Sequence, residues 1–187
     1  MNFKIIPSHV AILVPSVRKA VSFLKRFDFH IGNEQVFESE GTKEVYIEKD
    51  RGNSLLLMEP VGPGPYQRAL EKRGPGLHHL TIDVVGLEEY IDSLTGSGWL
   101  LHPRSLRTIK EIRVAYLARP GFPGIIEVQE RLEFNERPLF VDRVLLKMEA
   151  SLAGLLRFVG LDSVVKASND QTVISMRGHV IPLVSLF

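Results

Sequence analysis

Two histidines and one glutamate carry the chemistry that this sequence suggests. His9 opens "HVAILV" and His79 opens "HLTIDV", two segments that match position for position. Each segment alternates or runs apolar like a buried strand. Neutral imidazole is the commonest metal ligand among side chains. A lone histidine on a strand is more often a hydrogen-bonded core residue, but two at matched positions favour a shared cation. Glu127, in "PGFPGIIEVQE", is an acid inside an apolar strand. An unpaired buried carboxylate is costly, and a bound cation removes that cost. The plainer reading makes Glu127 an edge-strand acid facing water. Two histidines and a carboxylate with open positions form a site able to do chemistry on a bound oxygen ligand.

The elements that would position these groups follow from periodicity. "SHVAILV" predicts a strand, and Ser16 predicts a helix N-cap. Val17, Ala20, Val21, Leu24 and Phe27 recur at helical spacing. "EQVFESE" and "KEVYIEKD" predict two strands joined around Gly41. Arg51-Gly52-Asn53 predicts a turn, and "SLLLME" a further strand. Residues 60–76 form a connection with a short helix around Tyr66 to Lys72. The order then starts again. "HLTIDV" is followed by the helix "GLEEYIDSLTGSG" and the strands "WLLHPRS", "EIRVAYLAR" and "GIIEVQE". This is an internal repeat with a period of about seventy residues. Side chains alternate across a strand, so His79 is expected to face inward and His78 the other way. Leu56 is the expected counterpart of Glu127, and Glu59 lies near the strand end.

A third copy of the order follows "RLEFNERPLF". It comprises the strand "DRVLLKME", the helix "SLAGLLRFVGL" opened by Ser151, then "SVVKASND", "TVISM" and "HVIPLVSLF". Arg177-Gly178 falls where Arg51-Gly52 fell, and Asp170 where Glu44 fell. Arg143 or Val144 replaces the histidine. The expected fold class is α+β. Paired βαβββ modules form a curved mixed sheet around a metal cavity, with a third partial βαβββ module at the C-terminus. The expected division is 1–131 (modules 7–60 and 77–131) and 132–187.

Bulk properties bound the function. The 187 residues carry 23 basic and 22 acidic side chains, with no basic block, so nucleic acid is a poor partner. There is no cysteine, which excludes disulfides and thiolate ligands. No segment reaches the roughly 18 apolar residues of a membrane span, and the N-terminus lacks a secretory cleavage pattern. A cytoplasmic protein acting on a small molecule, without nucleic acid or membrane partners, is expected. An unpaired third unit tends to find a partner surface, so residues 140–187 are expected to pack on the first two units or in a homodimer. His30, His102 and His179 are assigned nothing.

At these residues the sequence resembles the vicinal oxygen chelate superfamily, which includes glyoxalases, bleomycin-resistance proteins and dioxygenases. It is most similar to the methylmalonyl-CoA epimerase type. The likeness rests on "HVAILVPSVRKAVSFL", "LLMEPVGPGPYQRALEKRGPGLHHLTIDV" and "VAYLARPGFPGIIEV", and covers about residues 7 to 131. The resemblance implies metal ligands at His9, His79 and Glu127. It implies a divalent ion such as Co, Mn, Zn, Ni or Fe, and a catalytic carboxylate at Glu44. Glu44, Tyr46 and Glu48 share one expected strand face, either toward the cavity or toward water. The implied reaction is an isomerase/epimerase-like or lyase-like proton abstraction beside a metal-bound carbonyl, on a substrate such as an acyl-CoA thioester. The alternatives are a non-haem Fe(II) dioxygenase-like enzyme or a metal-free small-molecule-binding protein. Several residues depart from the epimerase pattern. Leu56 replaces a fourth ligand, "RTIKEIR" replaces a glycine-and-histidine loop, and residues 132–187 have no counterpart. For the dioxygenases, Arg119 and the missing histidine before Tyr116 depart as well.

Overall fold

The computed structural model describes residues 3–102, 105–109, 111–134 and 137–187. Pro103 and Arg104 of the expected "WLLHPRS" strand, and Lys110 of "RTIKEIR", fall outside them. The first unit runs β1 (Ile5–Leu13), α1 (Val17–Leu24), β2 (Gln35–Phe37), β3 (Thr42–Ile47) and β4 (Ser54–Pro60). Helix α2 (Pro65–Arg73) leads to the second unit. That unit runs β5 (Gly76–Val84), α3 (Leu87–Ser93), β6 (Leu100–Leu101), β7 (Arg107–Ile109), β8 (Ile112–Ala118) and β9 (Ile125–Glu130). Among the described residues of "WLLHPRS" the strand is Leu100–Leu101, and β7 arises in the "RTIKEIR" stretch.

One nine-stranded sheet joins both units in the order β2-β3-β4-β1-β5-β9-β8-β6, with β7 beside β8. The two first strands, β1 and β5, meet antiparallel at its centre. Within each unit the first strand runs parallel to the last, β1 with β4 and β5 with β9. The halves are thus related by a pseudo-twofold axis between β1 and β5. Alternation along β1 sends Val10 and Ile12 to the main core under the helices, and Ala11 and Leu13 to a small cluster on the opposite face. Tyr66, Ala69 and Leu70 of α2 pack on that cluster.

The duplication extends to the helix starts. Ser16 caps α1, accepting from Lys19 N at 3.4 Å. Glu59 Oε2 accepts from Val17 N at 2.7 Å, and Glu130 Oε1 accepts from Leu87 N at 2.9 Å. Each acid stands at the end of its unit's last strand and serves the N-terminus of its unit's helix, where negative charge is favoured.

The third unit comprises β10 (Val141–Lys147), α4 (Ala150–Ala153), a 3₁₀ turn (Leu156–Val159), β11 (Val165–Ser168), β12 (Val173–Met176), β13 (His179–Pro182) and a final 3₁₀ turn (Leu183–Leu186). The element order is the expected one, but the sheet order differs. Its four strands run β11-β10-β12-β13, so the first strand pairs with the second and third rather than with the last. The expected single helix is a short α-helix followed by a 3₁₀ turn, and its N-cap position is Glu149, not Ser151. Asp170 lies in the turn before β12, not on a strand face.

This unit packs on the helical side of the sheet. Phe140, Val144, Leu146, Leu156 and Val159 share one core with Val10, Ile12, Ala20 and Leu24. Gly160, at φ 63°, presses against Ile5, and a Cβ there would stand 2.8 Å from the Ile5 side chain. Asn53, only 2% exposed, accepts from Phe140 N and Val141 N at 2.8 Å each and donates to Val141 O at 3.0 Å. No helix among the described residues is long and apolar enough to cross a membrane.

Candidate functional site

A cavity of about 630 Å³ opens on the face of the nine-stranded sheet away from α1 and α3. Its floor is the β1–β5 seam, where each strand carries an irregularity. The pairing skips Ser8 on β1, between Pro7↔Ile82 and His9↔Thr81. It skips His78 on β5, between Ala11↔His79 and Ile12↔Leu77. Each bulge therefore sits one residue before the matched histidine. A bulge leaves an extra residue and re-aims its neighbours.

His9 and His79 meet across the seam, their Nε2 atoms 3.3 Å apart. Glu127 Oε2 stands 3.6 Å from His79 Nε2. All three are buried, at 7%, 4% and 7% exposure. Thr81 Oγ1 lies 2.9 Å from His9 Nε2. His78 does not simply point the other way, because the bulge breaks the alternation. Its Nδ1 is 2.8 Å from His79 Nδ1, and its ring packs on Tyr66. A proton on His79 Nδ1, donated to His78, leaves the His79 Nε2 lone pair facing His9 and Glu127.

Burial sets the charge states. It pushes His79 down to about 3. It also pushes His78 down to about 3, aided by the neighbouring His79 and Arg73. Burial first, then His79 and Arg131, holds His9 well below the usual imidazole range. Burial raises the Glu127 carboxyl, opposed by hydrogen bonds from Gln129 and Tyr116 and by the charges of Arg107 and Arg131. The pocket thus presents neutral imidazoles beside a carboxyl whose charge is costly, a cost that a bound divalent cation would relieve.

The two histidine nitrogens are spaced as two ligands of one cation would be. Two nitrogens each about 2.1 Å from one ion stand roughly 3.0–3.4 Å apart, which brackets the His9–His79 separation. The His79–Glu127 contact is slightly wider. Among the described residues no group of three or more His, Cys, Asp or Glu side chains is arranged as it stands to hold a metal ion. Leu56 occupies the position equivalent to Glu127. Leu56 pairs with Ala11 on β1, and Glu127 pairs with Thr81 on β5.

Glu44 lines the cavity, its Oε1 accepting from Thr42 Oγ1 at 2.9 Å. After burial, its charge raises the half-buried Tyr46 hydroxyl above its ordinary range, while the half-buried Tyr66 hydroxyl is raised by burial and Glu40, with Glu44 adding least. Glu48 does not share this face. At φ 56° it leaves the strand, and its carboxylate binds His30 N, Arg51 and Arg177.

A polar chain not foreseen from the sequence holds Glu127. Gln129 Nε2 donates to Glu127 Oε1 at 2.6 Å, and Arg131 Nη2 donates to Gln129 Oε1 at 2.6 Å. Arg131 Nε lies 3.3 Å from Asp83 Oδ1. Alternation groups 79, 81 and 83 on one face of β5, and 127 and 129 on one face of β9, but does not tell which groups meet.

A model of the Glyoxalase/Bleomycin resistance protein/Dioxygenase superfamily matches residues 8–116. The matched span holds His9, Glu44 and His79 and ends before Glu127. Among solved structures, a hypothetical protein from Bacillus halodurans C-125 is 24% identical, with a TM-score of 0.60, over 72% of this chain and 99% of its own. Methylmalonyl-CoA epimerase from Mycobacterium tuberculosis is 21% identical, with a TM-score of 0.55, over 68% of this chain and 88% of its own. A Streptomyces coelicolor methylmalonyl-CoA epimerase variant in complex with 2-nitronate-propionyl-CoA is 18% identical, with a TM-score of 0.55, over 71% of this chain and 100% of its own. At these identities the likeness establishes the fold. No curated protein matches the chain.

Proposed function

Because the chain belongs to the glyoxalase/bleomycin resistance protein/dioxygenase superfamily, we propose that it abstracts a proton from the carbon beside a carbonyl of a small-molecule substrate. His9, His79 and Glu127 would hold a divalent cation, and Glu44 would act as the base. The observation that carries this reading is the meeting of two repeat-equivalent imidazole nitrogens and one carboxylate on the floor of a cavity that Glu44 lines. A divalent ion bound there would supply Lewis-acid polarisation of the carbonyl oxygen. His78, through His79 Nδ1, orients one ligand, and Gln129 orients another. Thr42 holds the Glu44 carboxylate in place. Tyr46 and Tyr66, both lining the cavity, keep their protons and limit the water around it.

An acyl-CoA thioester is the proposed substrate class, and methylmalonyl-CoA, bound in one of the similar epimerase structures, is the probe. The test measures metal content and deuterium wash-in at the thioester α-carbon. Stoichiometric divalent metal is expected in the purified protein and should be lost in His9→Ala and His79→Ala. Wash-in is expected for the wild type and should fall about 10²–10⁴-fold in Glu44→Ala, the range of a positioned general base. Protein that takes up no divalent ion would be a metal-free binder. Iron with oxygen-dependent turnover of a catechol would make it a dioxygenase.

A further inference from the structure

Inversion of a carbon centre needs a proton donor on the wall facing Glu44, and strand register shows what stands there. Glu44 and Tyr46 on β3 pair with Met58 and Leu56 on β4. Val114 and Tyr116 on β8 pair with Gln129 and Glu127 on β9. Leu56 and Glu127 are equivalent across the pseudo-twofold axis. Glu44 therefore corresponds to Val114, and Tyr46 to Tyr116. The cavity is unsymmetrical at its base: one wall carries a carboxylate, and the other carries a valine with no proton to give.

Of the three β8 residues that line the cavity, Ile112, Val114 and Tyr116, only the tyrosine has a mobile proton. The other cavity phenols are placed differently. Tyr66 stands on α2 and donates to Glu40 Oε2 at 3.2 Å, Tyr46 stands on the wall of Glu44, and Tyr116, on the facing wall, donates to the Glu127 carboxylate. Arg107 Nη2 reaches Tyr116 Oη at 3.5 Å and packs over its ring. We propose that Tyr116 is the catalytic acid that delivers a proton to the substrate carbon on the face opposite Glu44, so that turnover inverts that centre. This rests on the reading of Glu44 given above.

The steps balance. Glu44 takes the α-proton, and the C–H electron pair moves into the carbonyl as an enolate. The Tyr116 O–H bond then breaks, and its proton forms the new C–H bond on the other face. A phenolate remains beside the Arg107 guanidinium. The proton held by Glu44 returns to the phenolate through solvent, and both groups are reset. A phenol titrates at about 10, so the Tyr116 hydroxyl enters the reaction protonated at neutral pH. An enolate carbon is a far stronger base than a phenolate, so the transfer is downhill.

The experiment follows single-configuration methylmalonyl-CoA in D₂O with the metal-loaded protein, reading inversion and α-deuterium wash-in separately. In Tyr116→Phe, inversion is expected to fall by at least ~10²-fold, the contribution of a positioned acid. Wash-in with retention should persist, because Glu44 still removes the proton and returns a deuteron. Arg107→Met, at an exposed position, should show the same split more weakly. Undiminished inversion in Tyr116→Phe, or wash-in falling in step with inversion while the variant melts like wild type, overturns the assignment. Wild-type protein that neither exchanges nor inverts the probe removes the Glu44 reading and this assignment with it. Loss of both readouts in Glu44→Gln but retained wash-in in Tyr116→Phe supports both.

Discussion

Three imidazoles share the β1–β5 seam, and burial keeps all three neutral. His78 gives the cleanest pH prediction because it lies outside the proposed ligand set. Its folded value near 3 lies below the ordinary 6.5. Between those values the unfolded chain binds more protons, so stability is full above the window and is lost as pH falls through it. His78→Phe removes this uptake. Denaturant titrations of the metal-free protein should show wild type losing up to about 1.4 kcal/mol per pH unit more than the variant between those limits. Equal slopes would place His78 in water in solution. The residue pattern was legible where repetition doubled the signal: His9 and His79 announce each other. Glu127 was legible as an acid among aliphatics. Gln129, Arg131 and Asp83 were not, because each is an ordinary polar residue until its neighbours are known. The bulge at His78 was hidden because a run of residue types does not reveal where a ladder skips.

At the scale of elements, the decisive contact between the first unit and the third is made by one side chain. Asn53 opens the way into β4 and satisfies three backbone groups at the start of β10. Asn53→Ala leaves those groups buried and unpaired, and a lost buried partner costs about 1–3 kcal/mol per group. Chemical denaturation is expected to show a loss of at least about 3 kcal/mol, with the cavity geometry preserved. The elements of the paired units were legible because apolar alternation and helical spacing recur in both. In the third unit the element order was legible and the sheet order was not. Periodicity names a strand but not its neighbour. The connection from β10 to β11 carries only a four-residue helix and a 3₁₀ turn, and it sets β11 parallel beside β10.

At the scale of the molecule, we propose that residues 132–187 fold only as part of the whole, although their boundary was drawn from sequence as a separate unit. Phe27 and Phe29 pack on His179, and Phe29 also on Phe140. Ile5 meets Gly160, and Trp99 Nε1 donates to Leu155 O at 3.1 Å. A chain ending at residue 131 uncovers these groups, and each large apolar side chain moved into water costs about 1.5–3 kcal/mol. The truncated protein is expected to aggregate or to lose its cooperative melt, while the full chain unfolds in one transition by calorimetry. A stable, soluble 1–131 fragment would show the two parts to be independent. The paired bulges carry a longer consequence. The ladder is in step on both sides of each extra residue, Pro7↔Ile82 resuming at His9↔Thr81 and Ile12↔Leu77 at Ala11↔His79, so loss of Ser8 or His78 would straighten a strand and keep its imidazole facing the cavity, whereas a one-residue change elsewhere in β1 or β5 would turn the side chains beyond it to the opposite face.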